Sequence, residues 1–227
     1  MGKLIVIEGL DGSGKETQAA ILTEALKKMG LKVRKVSFPD YASESSALVK
    51  MYLSGEFGVN PDDVNAYAAS SFYAVDRYAS FKRNWEKDFQ AGVIISDRYT
   101  TSNAIHQCSK LDRSQWDDYL KWLIDYEYQL LRIPEPSAVI YLHVDLPVSQ
   151  QLMQNRYKGQ NKQDIHERDM EYLERCQQTA AYCLERLGWK FIECTENGKM
   201  RSIDDIHMEI MSLVKRTLRL TNQVTTN

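Results

Sequence analysis

A glycine-rich segment directly after an apolar run constrains the fold of this chain more than any other feature. The apolar run covers residues 4–7, and residues 9–17 read Gly-Leu-Asp-Gly-Ser-Gly-Lys-Glu-Thr. Gly9 and Gly14, followed by Lys15, fit the loop that binds phosphate between a strand and a helix. Glycines allow positive φ and close approach of a phosphate, and N–H groups at a helix start attract the anion. A plain glycine turn is the alternative, but the order of strand, glycines, lysine and helix favours a triphosphate site.

The position after Lys15 departs from the usual motif. A serine or threonine normally follows the lysine, and its hydroxyl binds Mg²⁺. This chain has Glu16 and then Thr17 at these positions. Either other carboxylates hold the metal, or Glu16 joins them. The loop therefore predicts a bound triphosphate and leaves the metal ligands open.

Length and composition are typical of a globular protein with one domain. The 227 residues are 43% apolar and 26% charged, with a formal net charge of −2, which gives no electrostatic basis for binding a nucleic acid polymer. No apolar run reaches the length that spans a bilayer, and the first strand starts so early that we expect no secretion signal. We therefore expect a cytoplasmic protein whose dispersed cysteines are reduced thiols: Cys108, Cys176, Cys183 and Cys194.

Short runs rich in branched apolar residues alternate with longer helical segments along the chain. The strand candidates are residues 4–8, 32–38, 93–96, 138–144 and 190–194. The helix candidates are residues 15–29, 43–54, 62–89, 114–132, 147–156, 167–187 and 203–218. This alternation predicts an α/β fold with a mainly parallel sheet of about five strands flanked by helices. Ligands bind beyond the carboxyl ends of such strands.

Two strand candidates end in residues that can contact a ligand. Arg98 can hold a phosphate with two parallel hydrogen bonds, and Asp97 can orient Arg98 or hold a metal-bound water. A structural ion pair is the alternative. Residues 38–41, which read Phe-Pro-Asp-Tyr, can line a pocket with an aromatic ring or a hydroxyl. The same four residues also fit ordinary turn chemistry.

A nucleobase site is predicted on the helix candidate at residues 62–89. Tyr73 and Arg77 are four positions apart and share a face, so a stacking ring lies one turn from a donor to a base carbonyl. Core packing and a salt bridge are the more ordinary interpretation of this spacing taken alone. Asn103 has a donor and an acceptor that can pair with a pyrimidine edge, and His106 and Gln107 can border the sugar.

Residues 157–164 form a polar, basic segment with a glycine between two helix candidates. Such a segment is typically a solvated loop. Opposite a phosphate loop, its lysines can instead close over the transferred group as a lid. Asp164 and Glu167 lie three positions apart at a helix start, where they can cap the helix, bind Mg²⁺ or contact the substrate sugar.

Together these motifs resemble those of thymidylate kinases in the P-loop nucleoside monophosphate kinase superfamily. The resemblance extends from residue 4 to about residue 218. Its specific parts are residues 8–15, Phe38-Pro39, Asp97-Arg98-Tyr99, and Asp145-Leu146-Pro147 leading to Arg156. The resemblance implies a P-loop NTPase fold in a single domain at residues 1–220. It also implies a mobile lid at about residues 157–166 and a polar, frayed tail at residues 221–227.

The resemblance further implies the reaction, which is ATP-dependent phosphorylation of dTMP to dTDP in dTTP synthesis, with Mg²⁺ and in a homodimer. The implied ATP-binding residues are Gly9, Leu10, Asp11, Gly12, Ser13, Gly14, Lys15, Glu16 and Thr17. The implied dTMP-binding residues are Asp11, Phe38, Tyr41, Phe72, Tyr73, Arg77, Arg98, Asn103, His106 and Gln107. The implied catalytic residues are Asp11, Lys15, Arg98, Arg156, Lys158 and Lys162, and the implied metal ligands are Asp11, Asp97, Asp164 and Glu167.

Four departures from the family pattern bear on these assignments. Glu16 replaces the usual hydroxyl or basic residue, and residues 40–41 stand where relatives place an arginine near the acceptor phosphate. Gly12 occupies the position where one subgroup carries a catalytic arginine. The lid offers Arg156 and two lysines rather than an arginine-rich run. When the phosphate loop lacks its arginine, the lid has to supply the positive charge that stabilises the transition state. The bacterial type of arrangement therefore fits this chain better. Another nucleoside monophosphate or deoxynucleoside kinase, or a non-catalytic nucleotide sensor, are the alternative functions.

Overall fold

A five-stranded parallel sheet forms the centre of the protein. The computed structural model describes residues 2–157 and 169–220, without the side chains of residues 154–157. The strands are β1 (Lys3–Glu8), β2 (Val33–Ser37), β3 (Val93–Asp97), β4 (Ala138–His143) and β5 (Lys190–Glu193), in the spatial order β2-β3-β1-β4-β5. Every neighbouring pair is parallel. The predicted α/β fold with about five parallel strands is therefore confirmed.

Helices flank this sheet in the described part of the chain. They are α1 (Lys15–Lys28), α2 (Ala47–Leu53), α3 (Ala66–Ser80), α4 (Glu86–Ala91), α5 (Thr100–His106), α6 (Trp116–Ile124), α7 (Leu146–Tyr157), α8 (Met170–Leu187) and α9 (Ile203–Leu218). None of the described helices is both long enough and apolar enough to cross a membrane. The four cysteines are free thiols and buried, as the sequence predicts.

Strand β1 lies in the middle of the sheet and is covered on both faces. Ile5 and Ile7 pack into one apolar cluster with side chains of α1 and α9. Leu4 and Val6 pack into a second cluster, which includes Trp85 and other aromatic side chains. Successive side chains of a strand point to opposite faces, so an uninterrupted apolar run is what a doubly covered strand requires.

The strand order places a crevice at the carboxyl end of β1. Its two neighbours, β3 and β4, lie on opposite sides of it, so the strand order reverses at β1. Ligands of open α/β sheets bind beside the point where the strand order reverses. In the register of β1 and β3, Ile7 lies opposite Asp97. The glycine-rich segment after β1 and the Asp97-Arg98 pair after β3 therefore emerge side by side.

The long helix expected over residues 62–89 is interrupted, so that prediction is wrong in detail. A 3₁₀ turn covers Pro61–Asp63, and α3 begins only after Asn65, whose side chain accepts a hydrogen bond from the Ala68 N–H. A π-helical segment, Phe81–Trp85, separates α3 from α4. A π turn adds a residue to the helical repeat, and here both Phe81 and Trp85 reach the second apolar cluster.

The helix expected over residues 114–132 is not α-helical throughout. It consists of α6 followed by a π-helical segment, Asp125–Leu130.

A short antiparallel hairpin of β6 (Thr195–Glu196) and β7 (Lys199–Met200) was not predicted. Its turn residues, Asn197 and Gly198, both have positive φ. An Asn-Gly pair is the strongest short hairpin signal in a sequence.

Candidate active site

The glycine-rich loop after β1 is formed by residues whose positions require glycine. Gly9, Gly12 and Gly14 have φ of 152°, 78° and 80°, and Gly14 is the N-cap residue directly before α1. A Cβ atom at Gly9 would lie 2.6 Å from the Leu142 carbonyl oxygen, and one at Gly12 would lie 2.7 Å from the Ser149 carbonyl oxygen. The loop is therefore pressed against the end of β4 and against α7, and its N–H groups lie at the start of a helix, where anions bind.

The Lys15 side chain folds back over this loop. Its Nζ donates hydrogen bonds to the Leu10 carbonyl at 2.7 Å and to Ser13 Oγ at 3.4 Å, and only 7% of the residue is exposed. Burial and the nearby Arg98 lower the pKa of Lys15 to about 8, although Asp11, Asp97 and Glu8 oppose that shift. Below that pH the ammonium is charged and lies at the loop where phosphates would bind.

Arg98 crosses from the end of β3 to the glycine-rich loop. Its Nη2 forms an ion pair with Asp11, and its Nη1 lies 3.8 Å from Glu8 Oε1. Burial lowers the pKa of the guanidinium, but Asp11, Glu8 and Asp97 outweigh it, so the net shift is upward. Arg98 and Lys15 likewise overcome burial and hold the pKa of Asp11 well below its usual range. Both side chains are charged at neutral pH.

The backbone of Arg98 is in the left-handed region, with φ of 64°. Such a conformation is uncommon outside glycine and carries strain. Two contacts hold it: the Arg98 N–H donates to the Ile7 carbonyl at 3.1 Å, and Ser96 Oγ donates to the Arg98 carbonyl at 2.5 Å. The strained residue is thus fixed by β1 and by its own strand.

Glu8 connects the glycine-rich loop to α5, a role that sequence reasoning missed. It is fully buried, and its carboxylate accepts hydrogen bonds from the Gly9 N–H at 3.0 Å and Thr101 Oγ1 at 2.6 Å. It also accepts from Ser102 Oγ, at 3.0 Å and 2.9 Å on its two oxygens. An acidic residue closing an apolar strand is the signal that was available, because a buried carboxylate requires donors.

The structure brings Arg77 and Asn103 together around the carboxylate of Glu127, where Arg77 forms the salt bridge that its helical spacing also allowed. Arg77 is 1% exposed, and its Nε and Nη2 donate to the two oxygens of Glu127 at 2.7 and 2.5 Å. The Nδ2 of Asn103 donates to Glu127 Oε1 at 3.4 Å. Burial lowers the pKa of Arg77, but the Glu127 carboxylate outweighs it and the net shift is upward. Glu127 was missed by sequence reasoning.

The aromatic residues predicted at the base site divide into two groups. Phe72 and Tyr73 are partly buried, and each ring centroid lies 6.4 Å from that of Tyr52. Phe38 is buried in the second apolar cluster, with its ring centroid 5.8 Å from that of Tyr99. Tyr41 is exposed and lies close enough to Arg98 to influence the pKa of the guanidinium.

Comparison with known proteins identifies the family. A sequence model of the family "Thymidylate kinase" matches residues 7–210 of this chain. The chain belongs to the thymidylate kinase family. A thymidylate kinase from Mycobacterium tuberculosis is 31% identical over 194 residues, which are 82% of this chain and 87% of that one. A probable thymidylate kinase from Thermococcus gammatolerans is 29% identical over 222 residues, covering 96% of this chain and 98% of its own length.

Solved structures agree on the fold. The thymidylate kinase of Candida albicans superposes with a TM-score of 0.68 and 20% sequence identity, covering 96% of this chain and 92% of that chain. The thymidylate kinase of Ehrlichia chaffeensis gives a TM-score of 0.63 at 20% identity, with 93% and 98% covered. The predicted P-loop NTPase fold is confirmed, and the enzyme is a phosphotransferase.

His106 of this thymidylate kinase family member is a neutral hydrogen-bond acceptor beside Arg98. Its Nε2 lies 3.4 Å from Arg98 Nη1, and a guanidinium can only donate. The proton therefore resides on Nδ1, which lies 3.4 Å from Tyr172 Oη and 3.5 Å from Cys176 Sγ. Burial first, and then Arg98, lower the pKa of His106 to about 3. The imidazole is uncharged at neutral pH.

The remaining predicted site residues are a buried glutamine, two residues at the start of α1 and several residues that lie outside the described part of the chain. Both amide atoms of buried Gln107 have no hydrogen-bond partner within the described part of the chain. Glu16 and Thr17 are exposed in the first turn of α1. Four predicted lid or metal residues lie outside the described residues, as does the side chain of Arg156: Lys158, Lys162, Asp164 and Glu167.

Three carboxylates lie around Lys15 at the carboxyl ends of β1 and β3. Asp11, Asp97 and Glu8 all lie near enough to Lys15 to influence its pKa, and carboxylate oxygens are the ligands that Mg²⁺ prefers. Among the described residues, no group of three or more His, Cys, Asp or Glu side chains is arranged to hold a metal by itself. Mg²⁺ in such sites keeps waters and binds substrate phosphates, so a full protein cage is not required.

Proposed function

We propose that this enzyme transfers the γ-phosphoryl group of ATP to dTMP and releases ADP and dTDP. One observation supports this most directly: a single short segment joins the two halves of the site. Arg98, at its start, contacts Asp11 of the glycine-rich loop, and Asn103, one turn into α5, contacts Glu127 beside Arg77. A phosphate held by Arg98 and a base held near Asn103 thus belong to one acceptor nucleotide.

The residues of the site stabilise charge and position the reactants. N–H groups of the loop and Lys15 hold the phosphates of ATP, and Arg98 holds the phosphate of dTMP. An oxygen of that phosphate attacks the γ-phosphorus, and the bond from the γ-phosphorus to the bridging oxygen of ADP breaks. The acceptor oxygen is already anionic, so no general base is required. Catalysis in phosphoryl transfer comes from alignment and from stabilising charge on the transferred group.

The magnesium ligands, the lid and the assembly are parts of the same proposal. Asp11 and Asp97 would hold Mg²⁺ together with Asp164 and Glu167, and the ion would neutralise phosphate charge. Arg156, Lys158 and Lys162 would add positive charge from the lid. We also propose a cytoplasmic homodimer. Exposed apolar side chains on α3 support an interface there: Tyr67, Val75 and Tyr78.

Steady-state assays of ADP release, with and without dTMP, test the proposal. Lys15→Ala and Arg98→Ala are each expected to lower kcat/KM at least about a hundredfold, because each removes a cation that stabilises developing charge. Lys27→Ala is the control, since Lys27 is an exposed lysine of the same helix paired with Glu24. A normal rate in either folded site variant contradicts the role given to that residue.

A panel of acceptors separates the proposed function from its alternatives. We expect dTMP to be phosphorylated faster than CMP, AMP and thymidine at equal concentrations. A preference for thymidine indicates a deoxynucleoside kinase, and a preference for CMP or AMP indicates another nucleoside monophosphate kinase. ATP binding without turnover on any of these acceptors indicates a nucleotide sensor.

A further inference from the structure

The outermost strand of the sheet, β2, has an edge that no other described strand covers, because it pairs with β3 alone. The Lys32 carbonyl accepts a hydrogen bond from the Val93 N–H at 2.9 Å. Six positions on, the Phe38 N–H donates to the Asp97 carbonyl at 3.0 Å. The direction of the backbone groups alternates along a strand, so even-numbered residues here face β3. The odd-numbered residues of β2 direct their N–H and carbonyl groups at the free edge: Val33, Lys35 and Ser37.

A groove of about 410 Å³ lies beside this edge, and we name it the β2 groove. It is lined by one face of α1, by residues 33–35 and by Asp88 of α4. Successive side chains of β2 point to opposite faces of the sheet. Val33 packs towards α1, whereas Arg34 Nη1 donates to Asp88 Oδ2 at 2.5 Å. The edge of the strand therefore forms the floor of the groove, with a helix on each side.

Cations outnumber carboxylates around the β2 groove. Residues 27–35 read Lys-Lys-Met-Gly-Leu-Lys-Val-Arg-Lys, with five cations and no acid, in a chain whose formal net charge is −2. Two carboxylates offset part of this charge: Glu24 pairs with Lys27 at 2.8 Å, and Asp88 pairs with Arg34 at 2.5 Å. Within the described residues, no ion pair joins the other three cations to a carboxylate: Lys28, Lys32 and Lys35. The groove therefore carries a surplus of positive charge.

These cations oppose one occupant of the edge, which is a second copy of this chain. Lysine on an edge strand is a common device against pairing between identical sheets. Two copies that paired through β2 would bring two sets of five cations together, and like charges across an interface oppose association. The same charges attract a chain that carries carboxylates. The occupant that the β2 groove fits is therefore acidic and extended.

We propose that the β2 groove is a docking site for an extended acidic segment of another protein, which adds to the sheet as a further strand. In this binding mode, main-chain hydrogen bonds give affinity and side-chain contacts give specificity. The backbone groups at the free edge bond the segment, and the surplus lysines pair with its carboxylates. The groove lies beside residues 33–35 and the later turns of α1, whereas the glycine-rich loop precedes α1 at its other end. The docking site is therefore separate from the site of phosphoryl transfer.

Calorimetric titration with synthetic peptides, at about 0.15 M salt, tests the charge and the strand separately. The probe is a peptide of about nine residues that alternates glutamate and valine and has both ends blocked. We expect it to bind with a Kd below about 0.1 mM. The same peptide with lysine in place of glutamate is expected to bind at least about tenfold more weakly, because its charge is reversed. Methylation of every backbone nitrogen of the acidic peptide is expected to weaken binding as much, because it removes the strand donors.

Hydrogen exchange measured at single amides locates the bound peptide. A saturating amount of the acidic peptide is expected to slow exchange at least about tenfold at the amides of Val33, Lys35 and Ser37, because the added strand bonds them. The amides of Arg34 and Val36 face β3, so their exchange is expected to stay the same. The two sets alternate along one strand, and each serves as the control for the other.

A reversal of charge tests the surplus lysines. The variant combines three substitutions: Lys28→Glu, Lys32→Glu and Lys35→Glu. It is expected to bind the acidic peptide at least about tenfold more weakly than the wild type and to keep the wild-type rate of dTMP phosphorylation. The matched control makes the same change in net charge at three exposed lysines elsewhere: Lys121→Glu, Lys190→Glu and Lys199→Glu. Its affinity for the peptide is expected to stay within about twofold of the wild type, because salt screens distant charges.

Three results overturn the proposal. The first is equal affinity for the acidic peptide and its lysine form, which leaves the cations only a role against pairing between copies. The second is binding of the acidic peptide without slower exchange at residues 33, 35 and 37, which shows attraction without an added strand. The third is equal affinity of the charge-reversed variant and its matched control. The first two results use the wild type alone, so they decide the question even where a variant does not fold.

Discussion

Two glycines of the phosphate loop form a matched pair for testing how α7 constrains that loop. Gly12 and Gly14 have nearly the same positive φ, 78° and 80°. They differ in their surroundings. An added Cβ at Gly12 would meet the Ser149 carbonyl oxygen at 2.7 Å and the Ser149 Cα at 3.2 Å, whereas nothing lies within 4 Å of one at Gly14. Alanine at each position separates backbone strain from crowding.

The structure gives an expected magnitude for each substitution. Left-handed backbone costs an alanine about 1–2 kcal/mol relative to glycine, and this applies to Gly14→Ala and Gly12→Ala alike. At Gly12, α7 or the loop must also move by about 0.3–0.7 Å to restore ordinary contact distances. Overpacking of this kind costs about 1–3 kcal/mol more. Gly12→Ala is therefore expected to destabilise the fold by at least about 1 kcal/mol more than Gly14→Ala.

Urea unfolding without nucleotide measures the difference, because the change that alanine makes in the unfolded chain is common to both variants. Thermal unfolding is expected to show a Tm for Gly12→Ala at least about 2 °C below that of Gly14→Ala. Equal destabilisation of the two variants would refute the reasoning, since it would show that α7 yields without cost. The same crowding explains why this chain cannot place an arginine at residue 12 without moving α7.

Two further predictions follow from the shifted pKa values. As the pH is lowered from 6.5 to about 4.5, the free energy of unfolding of the wild type is expected to decrease by about 2 kcal/mol more than that of His106→Gln. The reason is that the imidazole takes up a proton in this range in the unfolded chain, whereas in the native protein, with a pKa of about 3, it does not. Urea unfolding of both proteins across this pH range measures the difference. The same pH dependence of the unfolding free energy in both proteins would contradict the prediction. The kcat/KM for ATP is expected to fall as the pH rises from 7 to 9, because the Lys15 ammonium, with a pKa of about 8, loses its proton in the free enzyme. Lys15→Arg serves as the comparison, and a flat wild-type profile to pH 9 opposes the assignment.

The parts of the fold that the sequence predicts correctly depend on local patterns. The apolar run of β1, the glycines after it and the start of α1 at Lys15 are encoded within about fifteen consecutive residues. The five parallel strands follow from the same kind of local periodicity. The missed hairpin at Asn197 was also a local signal, and it could have been recognised from the Asn-Gly pair.

The parts that could not be predicted depend on contacts between distant residues. The π-helical segment Phe81–Trp85 buries Phe81 and Trp85, and the π-helical segment Asp125–Leu130 buries Glu127. Arg77 and Glu127 are 50 positions apart, and no local pattern connects them. Arg98 is adjacent to Asp97 but pairs with Asp11, because its left-handed backbone directs the side chain across the sheet edge. The roles assigned to individual site residues remain predictions.

The ion pair between Arg98 and Asp11 makes binding at this guanidinium an exchange of counter-ions. Asp11 is tethered beside Arg98, so its effective concentration there is high. An anion that reaches Arg98 must displace that carboxylate or share the guanidinium with it. The affinity for an incoming anion thus reflects the difference between its own free energy of binding to Arg98 and that of the Asp11 carboxylate. Singly charged anions therefore compete poorly with this carboxylate.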